Sequence, residues 1–164
     1  RRIEVKDQPT MTRDETSKYT DPLKDGTARQ FSFTIDAKSA ITFPAYPYAL
    51  TEPGWWEIQG IAWSGRGRIT KVDISTDGGE TWNESKLHGP VLSKCHTRFT
   101  YPWNWDGKET LLMSRATDET GYVQPALSTL MEARGEGTSY HYNSIRPWKI
   151  EEDGRVYFGQ GETS

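Results

Sequence analysis

WEIQGIAWSGRGRITKVDISTDGGETW, residues 56–82, is the most informative stretch of this chain. Its alternating apolar residues predict two β-strands joined by a tight turn at Gly65 and Gly67, where glycine permits a positive φ. The Asp-Gly-Gly segment at residues 77–79 predicts a hairpin loop of two to four residues before a third strand. Short strands separated by such turns are typical of a β-sandwich.

The composition limits the size and the class of the protein. Its 164 residues suit one domain, or one domain with an extension, and 34% of them are hydrophobic. Seven Trp, eight Tyr and five Phe favour a core built on aromatic rings. The net charge of −3 argues against a nucleic-acid partner, and no apolar run approaches the ~18 residues of a membrane span. Because the chain starts at Arg1 and not at Met, we expect an excised or mature piece.

Residues 1–48 differ in composition from the rest of the chain. They are polar and rich in turn residues, so we expect an extended linker that lies over another surface. An all-β sandwich with little helix is predicted for residues 49–153, a flexible loop for 134–139, and a polar, frayed tail for 154–164. The predicted strands are 55–63, 67–75, 81–87, 96–104, 109–117 and 140–150.

One predicted strand carries four aromatic residues on a single face. Phe99, Tyr101, Trp103 and Trp105 alternate with other residues, and alternate residues of a strand point to the same side. We interpret this face as core or interface, and a carbohydrate-binding platform is the alternative.

No residue set in the chain forms a catalytic or metal site by itself. Cys95 is the single cysteine, and in a strand its neighbour His96 points to the opposite face, which argues against a shared metal ion. We expect Cys95 to be a buried or partly buried thiol. Ser-His-Asp order, phosphate-loop and dinucleotide motifs are missing from the sequence. Catalytic, cofactor-binding and metal-binding residues are therefore not predicted within this chain.

Arg66 and Arg68 flank Gly67 in the predicted turn. One interpretation is a solvated hairpin. The other is an interface at which guanidinium groups hold carboxylate or other anionic oxygens. Asp118 lies in a further predicted turn, where carboxylates usually accept hydrogen bonds from the backbone.

Four segments resemble the dimerisation domain of the sulfite oxidase family of molybdenum enzymes. They are AWSGRGRI, VDISTDGGETW, ATDETGYVQP and YNSIRPWKI. The resemblance covers about residues 54–150, and RRIEV at the start is similar to the last strand of the family's molybdopterin domain. TSKYTD, ARQFSF and NSIRPWKI are most similar to the bacterial sulfane dehydrogenases and sulfite dehydrogenases.

The resemblance implies an immunoglobulin-like (E-set) sandwich that joins two identical subunits. Residues 1–48 would then be the end of the molybdopterin domain and the linker, and molybdenum-molybdopterin would lie in a separate N-terminal domain. The implied reaction is oxidation of sulfite or of a protein-bound sulfane, with a c-type cytochrome as electron acceptor and a periplasmic location. This chain alone is expected to be inactive.

The resemblance also implies roles for particular residues. A basic residue after Trp148 reaches the substrate pocket in the family, which here is Lys149, and Arg146 is expected in the same pocket. Lysine keeps the positive charge but lacks the bidentate fork of arginine. If Trp148 enters the core, Lys149 faces outward; the alternative is a solvated lysine on an edge strand. Structural or interface roles are expected for Arg66, Arg68, Asp118 and Trp148.

A rival hypothesis is a non-enzymatic, immunoglobulin-like binding module. In that case the aromatic face of residues 99–105 binds carbohydrate or protein. The enzyme hypothesis requires the coding sequence to continue upstream through a cofactor domain, whereas the binding module requires a start or a signal peptide just before Arg1.

Overall fold

The protein is an antiparallel β-sandwich with a small hairpin beside it. The computed structural model describes residues 2–31, 33–135 and 141–159. The helices are α1 (Arg13–Ser17) and α2 (Leu127–Arg134). The strands are β1 (Thr20–Pro22), β2 (Ala28–Gln30), β3 (Lys38–Phe43), β4 (Gly54–Trp63), β5 (Ile69–Ser75), β6 (Asn83–Glu84), β7 (Lys86–His88), β8 (Thr97–Trp105), β9 (Thr110–Asp118), β10 (Trp148–Ile150) and β11 (Val156–Phe158).

Two sheets form the sandwich, and their strand orders are β3-β4-β8-β7 and β11-β10-β9-β5-β6. β1 and β2 form the separate hairpin. The all-β prediction is confirmed, and most predicted strands are found within one or two residues of their expected bounds. The predicted strand 140–150 is shorter, since β10 begins only at Trp148.

The core lies between the two sheets and is built on aromatic rings facing aliphatic side chains. Phe99, Trp103 and Trp105 of β8 are each less than a tenth exposed. The Phe99 ring fills the space beside Gly60, where an added Cβ would lie 2.1 Å from its Cζ. The aromatic face is therefore core, and the carbohydrate-platform alternative is wrong because these rings are covered by the opposite sheet.

The predicted turn at Gly65 and Gly67 is instead a crossover between the sheets, because β4 and β5 belong to different sheets. Neither glycine adopts a positive φ. An added Cβ at Gly65 would lie 2.9 Å from the backbone N and O of Ile35, and one at Gly67 would lie 2.1 Å from the Glu119 carboxylate. Gly65 is thus explained by close packing against the backbone of Ile35, whereas the atoms nearest Gly67 belong to the end of a flexible side chain.

The loop after β5 is longer than predicted, since β6 begins only at Asn83. Asp77 organises this loop: it accepts hydrogen bonds from the Ser75 hydroxyl at 2.7 Å and from the Thr81 N–H at 3.0 Å. Burial acts to raise the pKa of Asp77, but these hydrogen bonds outweigh it and lower the pKa to about 2. Hydrogen bonds to the Asp77 side chain therefore hold this longer loop, in place of the short backbone turn that the sequence predicts.

The N-terminal region is not wholly extended. The β1–β2 hairpin docks on the sandwich through Asp21, which is fully buried and lies 3.1 Å from the guanidinium of Arg134 on α2. By contrast, Ile3 and Val5 are 99% and 97% exposed. Helix α2 was not predicted, and it is the only helix of eight or more residues in the described part of the chain.

The chain after Asp153 does not fray as predicted, because β11 pairs with β10 and its Val156 enters the core at 2% exposure. The predicted loop 134–139 falls largely on residues outside the described part of the chain. None of the helices described is long and apolar enough to cross a membrane.

Candidate functional site

Lys149 points away from the core, as strand alternation predicts. Its neighbours Trp148 and Ile150 point inward: the Trp148 indole N–H donates to the Ile41 carbonyl oxygen across the sandwich at 3.0 Å, and Ile150 is fully buried. β10 is not an edge strand, however, since β9 lies on one side of it and β11 on the other. The edge-strand alternative for Lys149 is therefore wrong.

Two carboxylates neutralise Lys149. Its Nζ lies 2.9 Å from Glu109 and 3.7 Å from Glu151. The hydrogen bond to Glu109 raises the pKa of Lys149, so the lysine is charged but already paired.

Arg146 lies in the irregular segment before β10 and has a different environment. Its Cζ lies 4.2 Å from the centroid of the Tyr142 ring and 5.2 Å from that of Phe158. Within the described residues, no carboxylate forms an ion pair with this exposed guanidinium. Stacking on two rings fixes the guanidinium while its N–H groups stay available.

Lys38 also contacts Tyr142, and its Nζ lies 5.9 Å from the centroid of the ring. Its Nζ donates to the Tyr142 carbonyl oxygen at 2.8 Å. Burial lowers the pKa of Lys38, and the positive charge of Arg146 lowers it further. Lys38 and Arg146 thus contact the same tyrosine, although they lie 108 positions apart in the sequence.

Buried hydrogen bonds hold the segment that carries Arg146. The Asn143 amide donates to the Ala37 carbonyl oxygen at 3.0 Å, and the Ile145 N–H donates to the Pro125 carbonyl oxygen at 2.9 Å. The Gln124 amide donates to the Ser144 carbonyl oxygen at 3.1 Å. These bonds replace strand pairing in a segment that belongs to neither sheet.

Gln124 also ties the two sheets together. Its Oε1 accepts hydrogen bonds from the Ser39 N–H at 2.8 Å, the Ser39 hydroxyl at 2.7 Å and the Ala116 N–H at 3.2 Å. Sequence reasoning did not single out Gln124, although it lies in the ATDETGYVQP segment that resembles the sulfite oxidase family. A buried glutamine has this effect because one amide provides both donors and acceptors.

Asp36 is the centre of a buried ionic cluster. Its carboxylate lies 2.6 Å from Arg66, 3.1 Å from Arg134 and 3.1 Å from the Nε2 of His141. Burial and the charge of Arg134 lower the pKa of His141, although Asp36 acts in the opposite direction. The carboxylate that Arg66 was expected to meet is thus supplied by this chain, and the guanidinium also stacks on Tyr122 at 4.9 Å.

Arg68 and Asp118 make local contacts. Arg68 lies 2.8 Å from Glu119 on the surface. Asp118 is 1% exposed and accepts hydrogen bonds from the Ser64 hydroxyl at 2.7 Å and the Thr120 N–H at 3.0 Å. Burial acts to raise the pKa of Asp118, but its hydrogen bonds outweigh that effect and the pKa is lowered. Asp118 therefore stabilises the turn that follows β9.

Cys95 is exposed, which corrects the expectation of a buried thiol, because it lies just before β8 and not inside a strand. His96 stacks edge-on against Trp63, with ring centroids 5.3 Å apart. Across the described residues, no group of three or more His, Cys, Asp or Glu is placed to hold a metal ion. The side chains around Cys95 do not fit a molybdenum site, so no reaction step is assigned to a metal in this chain.

Comparisons with known proteins give a consistent result. Residues 29–147 match the family model "Mo-co oxidoreductase dimerisation domain". Sulfite oxidase of Gallus gallus is 33% identical over 118 residues, covering 65% of this chain and 25% of the relative. Mitochondrial sulfite oxidase of Mus musculus is 37% identical over 103 residues, covering 56% of this chain and 18% of the relative. The chain thus spans about a quarter or less of these relatives.

The structure of the sulfane dehydrogenase SoxCD from Paracoccus pantotrophus matches with a TM-score of 0.87 and 47% identity, covering 91% of this chain and 39% of the SoxCD chain. The matched family model, the sulfite oxidase relatives and the sandwich architecture agree. This chain belongs to the Mo-co oxidoreductase dimerisation domain family.

Proposed function

We propose that this chain is the subunit-joining part of an oxidoreductase that oxidises sulfite or a protein-bound sulfane at a molybdenum cofactor. The likeness to the sulfane dehydrogenase SoxCD, with 47% identity and a TM-score of 0.87, carries the proposal. Since the chain spans 39% of that SoxCD chain, we place the cofactor in a preceding domain. The part of the chain before β3 ends that domain and forms the linker, and the sandwich from β3 to β11 forms the dimerisation domain, so the expected bounds of 49–153 are too narrow.

The proposed reaction adds one oxygen atom from water to the sulfur of the substrate and releases two electrons and two protons. The molybdenum cofactor of the other domain would supply the two-electron acceptor, and a c-type cytochrome is the proposed onward carrier. The resemblance to bacterial sulfane and sulfite dehydrogenases supports this acceptor and a periplasmic location.

In this proposal, the chain contributes electrostatics to the substrate pocket. Arg146 holds the anionic substrate, because its guanidinium is fixed on Tyr142 and Phe158 and has no carboxylate partner among the described residues. A planar guanidinium can hold two oxygens at once and needs no rearrangement as negative charge moves onto them. Lys149 adds a weaker field, because Glu109 and Glu151 largely neutralise it.

We also propose that two copies of the chain associate. The description of its family supports this, as do aromatic side chains left on the surface, since Trp55 is 75% exposed and Tyr46 is 66% exposed. Large exposed rings of this kind are typical of protein interfaces.

The experiment uses the intact protein with whatever precedes this chain. Metal analysis is expected to find about one molybdenum per chain, sulfite or a sulfane-bearing carrier protein is expected to reduce cytochrome c, and sedimentation is expected to give a dimer. The 164-residue chain alone is expected to bind no molybdenum and to oxidise neither substrate. An intact protein that lacks molybdenum and oxidises neither substrate contradicts the proposed function, and a monomer at micromolar concentration contradicts the proposed association.

A further inference from the structure

The β1–β2 hairpin is attached to the sandwich by a charged side chain and not by apolar ones. Asp21 is the only buried residue among residues 2–30, all of which the structure describes. The large apolar side chains Ile3, Val5, Met11 and Tyr19 of the same stretch are exposed. Burial of apolar surface is the usual force that docks one element on another. Because the hairpin buries so little of it, the contact through Asp21 must hold the hairpin in place.

A charge-balanced cluster receives Asp21. Its Oδ2 lies 3.1 Å from the guanidinium of Arg134, the last residue of α2, and the same guanidinium lies 3.1 Å from Asp36. Asp36 also lies 2.6 Å from Arg66. These two carboxylates and two guanidinium groups carry no net charge together. Such a balance is needed here, because the Asp21 side chain is fully buried and that of Arg134 is only 11% exposed.

The backbone of the hairpin lies against the end of α2. Gly135, which follows α2 with a φ of +91°, leaves room for the Pro22 carbonyl oxygen, since an added Cβ would lie 2.6 Å from that oxygen. The other aspartate of the hairpin acts locally: Asp25 accepts a hydrogen bond from the Thr27 N–H at 2.9 Å and closes the turn. Asp25 therefore shapes the hairpin, whereas Asp21 docks it on the sandwich.

We propose that Asp21, Arg134 and Asp36 form an ionic latch that makes the β1–β2 hairpin part of the sandwich body. The joint at which a preceding domain moves relative to the sandwich then lies before Thr20, and not at the start of β3. Residues 2–12 fit such a joint, because they form no helix or strand and are all exposed. This inference rests on the proposed function only in taking a domain to precede this chain.

The test compares the mobility of the hairpin with that of the proposed joint in the intact protein. Hydrogen exchange is measured at the backbone amides of residues 20–30 and of residues 2–12. Limited trypsin digestion provides a second measurement, because exposed cleavage sites lie in the hairpin, after Lys24 and Arg29, and before it, after Arg13 and Lys18. In the native protein, we expect the hairpin amides to exchange at least about tenfold more slowly than those of residues 2–12, and trypsin to cleave first before the hairpin.

Two single variants and their combination test the ion pair. Asp21→Asn keeps the size of the side chain and removes its charge, so hairpin exchange is expected to become about tenfold faster while β4 and β8 stay unchanged. Arg134→Gln is expected to have a larger effect, because it leaves the Asp21 carboxylate buried without its cation. The double variant should exchange more slowly than Arg134→Gln alone, since the unpaired carboxylate is gone. Asp7→Asn, the same change at an exposed aspartate, should match the native protein.

Three results overturn the latch. They are equal hairpin exchange in Asp21→Asn and Asp7→Asn, native hairpin amides that exchange as fast as residues 2–12, and faster exchange in Asp21→Asn that extends equally over β4 and β8. The last result would show that the charge stabilises the whole sandwich and does not hold the hairpin. Exchange needs no turnover, so an intact protein with the expected exchange that lacks molybdenum and oxidises neither substrate contradicts only the proposed function.

Discussion

Two cationic regions lie next to each other on this sandwich, and they differ in what surrounds the charge. Lys149 lies in regular β-structure, with Glu109 and Glu151 within 4 Å. Arg146 lies in an irregular segment against two aromatic rings, and its near neighbour is another cation, Lys38. A lysine or arginine is therefore available to bind an anion only where the fold places no carboxylate beside it.

The difference has a structural cause. Glu109 directly precedes β9 and Glu151 directly follows β10, so strand pairing alone brings both carboxylates to Lys149. The segment with Arg146 is held by hydrogen bonds from Asn143, Ile145 and Gln124, which involve no charged group. The Lys149 region is therefore held by ion pairs beside regular strands, and the Arg146 region mainly by hydrogen bonds between uncharged groups.

The largest expected effect is on the scaffold of the Arg146 region. Gln124→Ala removes the partner of the Ser39 N–H, the Ala116 N–H and the Ser144 carbonyl oxygen in the core, while the Ser39 hydroxyl keeps Ser114, and we expect the free energy of unfolding to fall by about 3 kcal/mol. Denaturant unfolding measures this, with Gln59→Ala as the control, because the side chain of exposed Gln59 hydrogen-bonds only Glu57 among the described residues. A loss no larger than that of the control would show that the network does not stabilise the region.

The next effect concerns the available cation. We expect Arg146→Gln to lower kcat/KM of the intact enzyme for sulfite about a hundredfold, equivalent to ~2.7 kcal/mol of transition-state stabilisation. Its unfolding transition should stay close to that of the native protein. Arg98→Gln, at an exposed arginine of β8, is the matched control. Equal values of kcat/KM for the two variants would contradict the proposed place of Arg146 in the substrate pocket.

A smaller effect is expected on the pH dependence of stability. It comes from His141, which is 8% exposed and lies beside Asp36, the partner of Arg134. Its pKa is lowered from the ordinary value of 6.5, so the unfolded chain binds more protons between the folded pKa and 6.5. Stability therefore falls as pH drops below about 6.5, and we expect His141 to contribute part of that loss.

Unfolding titrations of the native protein and of His141→Gln at pH 7.5, 6.5 and 5.5 measure this contribution. The variant should show the shallower dependence of stability on pH. If the two proteins lose stability in parallel, His141 is not the titrating group.

The smallest effect is expected at Lys149, whose charge is neutralised by Glu109 and Glu151. We expect Lys149→Ala to lower kcat/KM only about threefold, because removing a paired charge changes the local field little. The double change Glu109→Gln and Glu151→Gln should free Lys149 and lower KM for sulfite. A tenfold loss of kcat/KM in Lys149→Ala would contradict the difference that we expect between the paired Lys149 and Arg146.

The sequence predicted those features that depend on strand alternation. The aromatic residues of β8 share a face because alternate side chains do, and they lie in the core because large rings are most stable there. Lys149 faces outward for the same reason, between Trp148 and Ile150. Both conclusions need only local periodicity, which the sequence displays directly.

Features that depend on distant partners could not be predicted in this way. The conformational freedom of Gly65 and Gly67 predicts a hairpin, but neither has a positive φ, and Gly65 is explained by its close approach to the backbone of Ile35. The carboxylate that holds Arg66 is Asp36, 30 positions earlier, and nothing local indicates that pair. β11 was missed because three residues carry too little periodicity to distinguish a strand from a polar tail.

The sequence by itself determined that this chain is an all-β domain and which family it resembles, because short strands, turn residues and ordered motifs are local properties. Only the tertiary structure decided which cations are available. Lys149 is paired because β9 and β10 bring carboxylates beside it. Lys38 and Arg146 instead contact Tyr142, through its carbonyl oxygen and its ring, because hydrogen bonds such as that from Asn143 to Ala37 hold the 141–147 segment near β3. Coulomb energy depends on distances between side chains, and those distances are set by the packing of the two sheets.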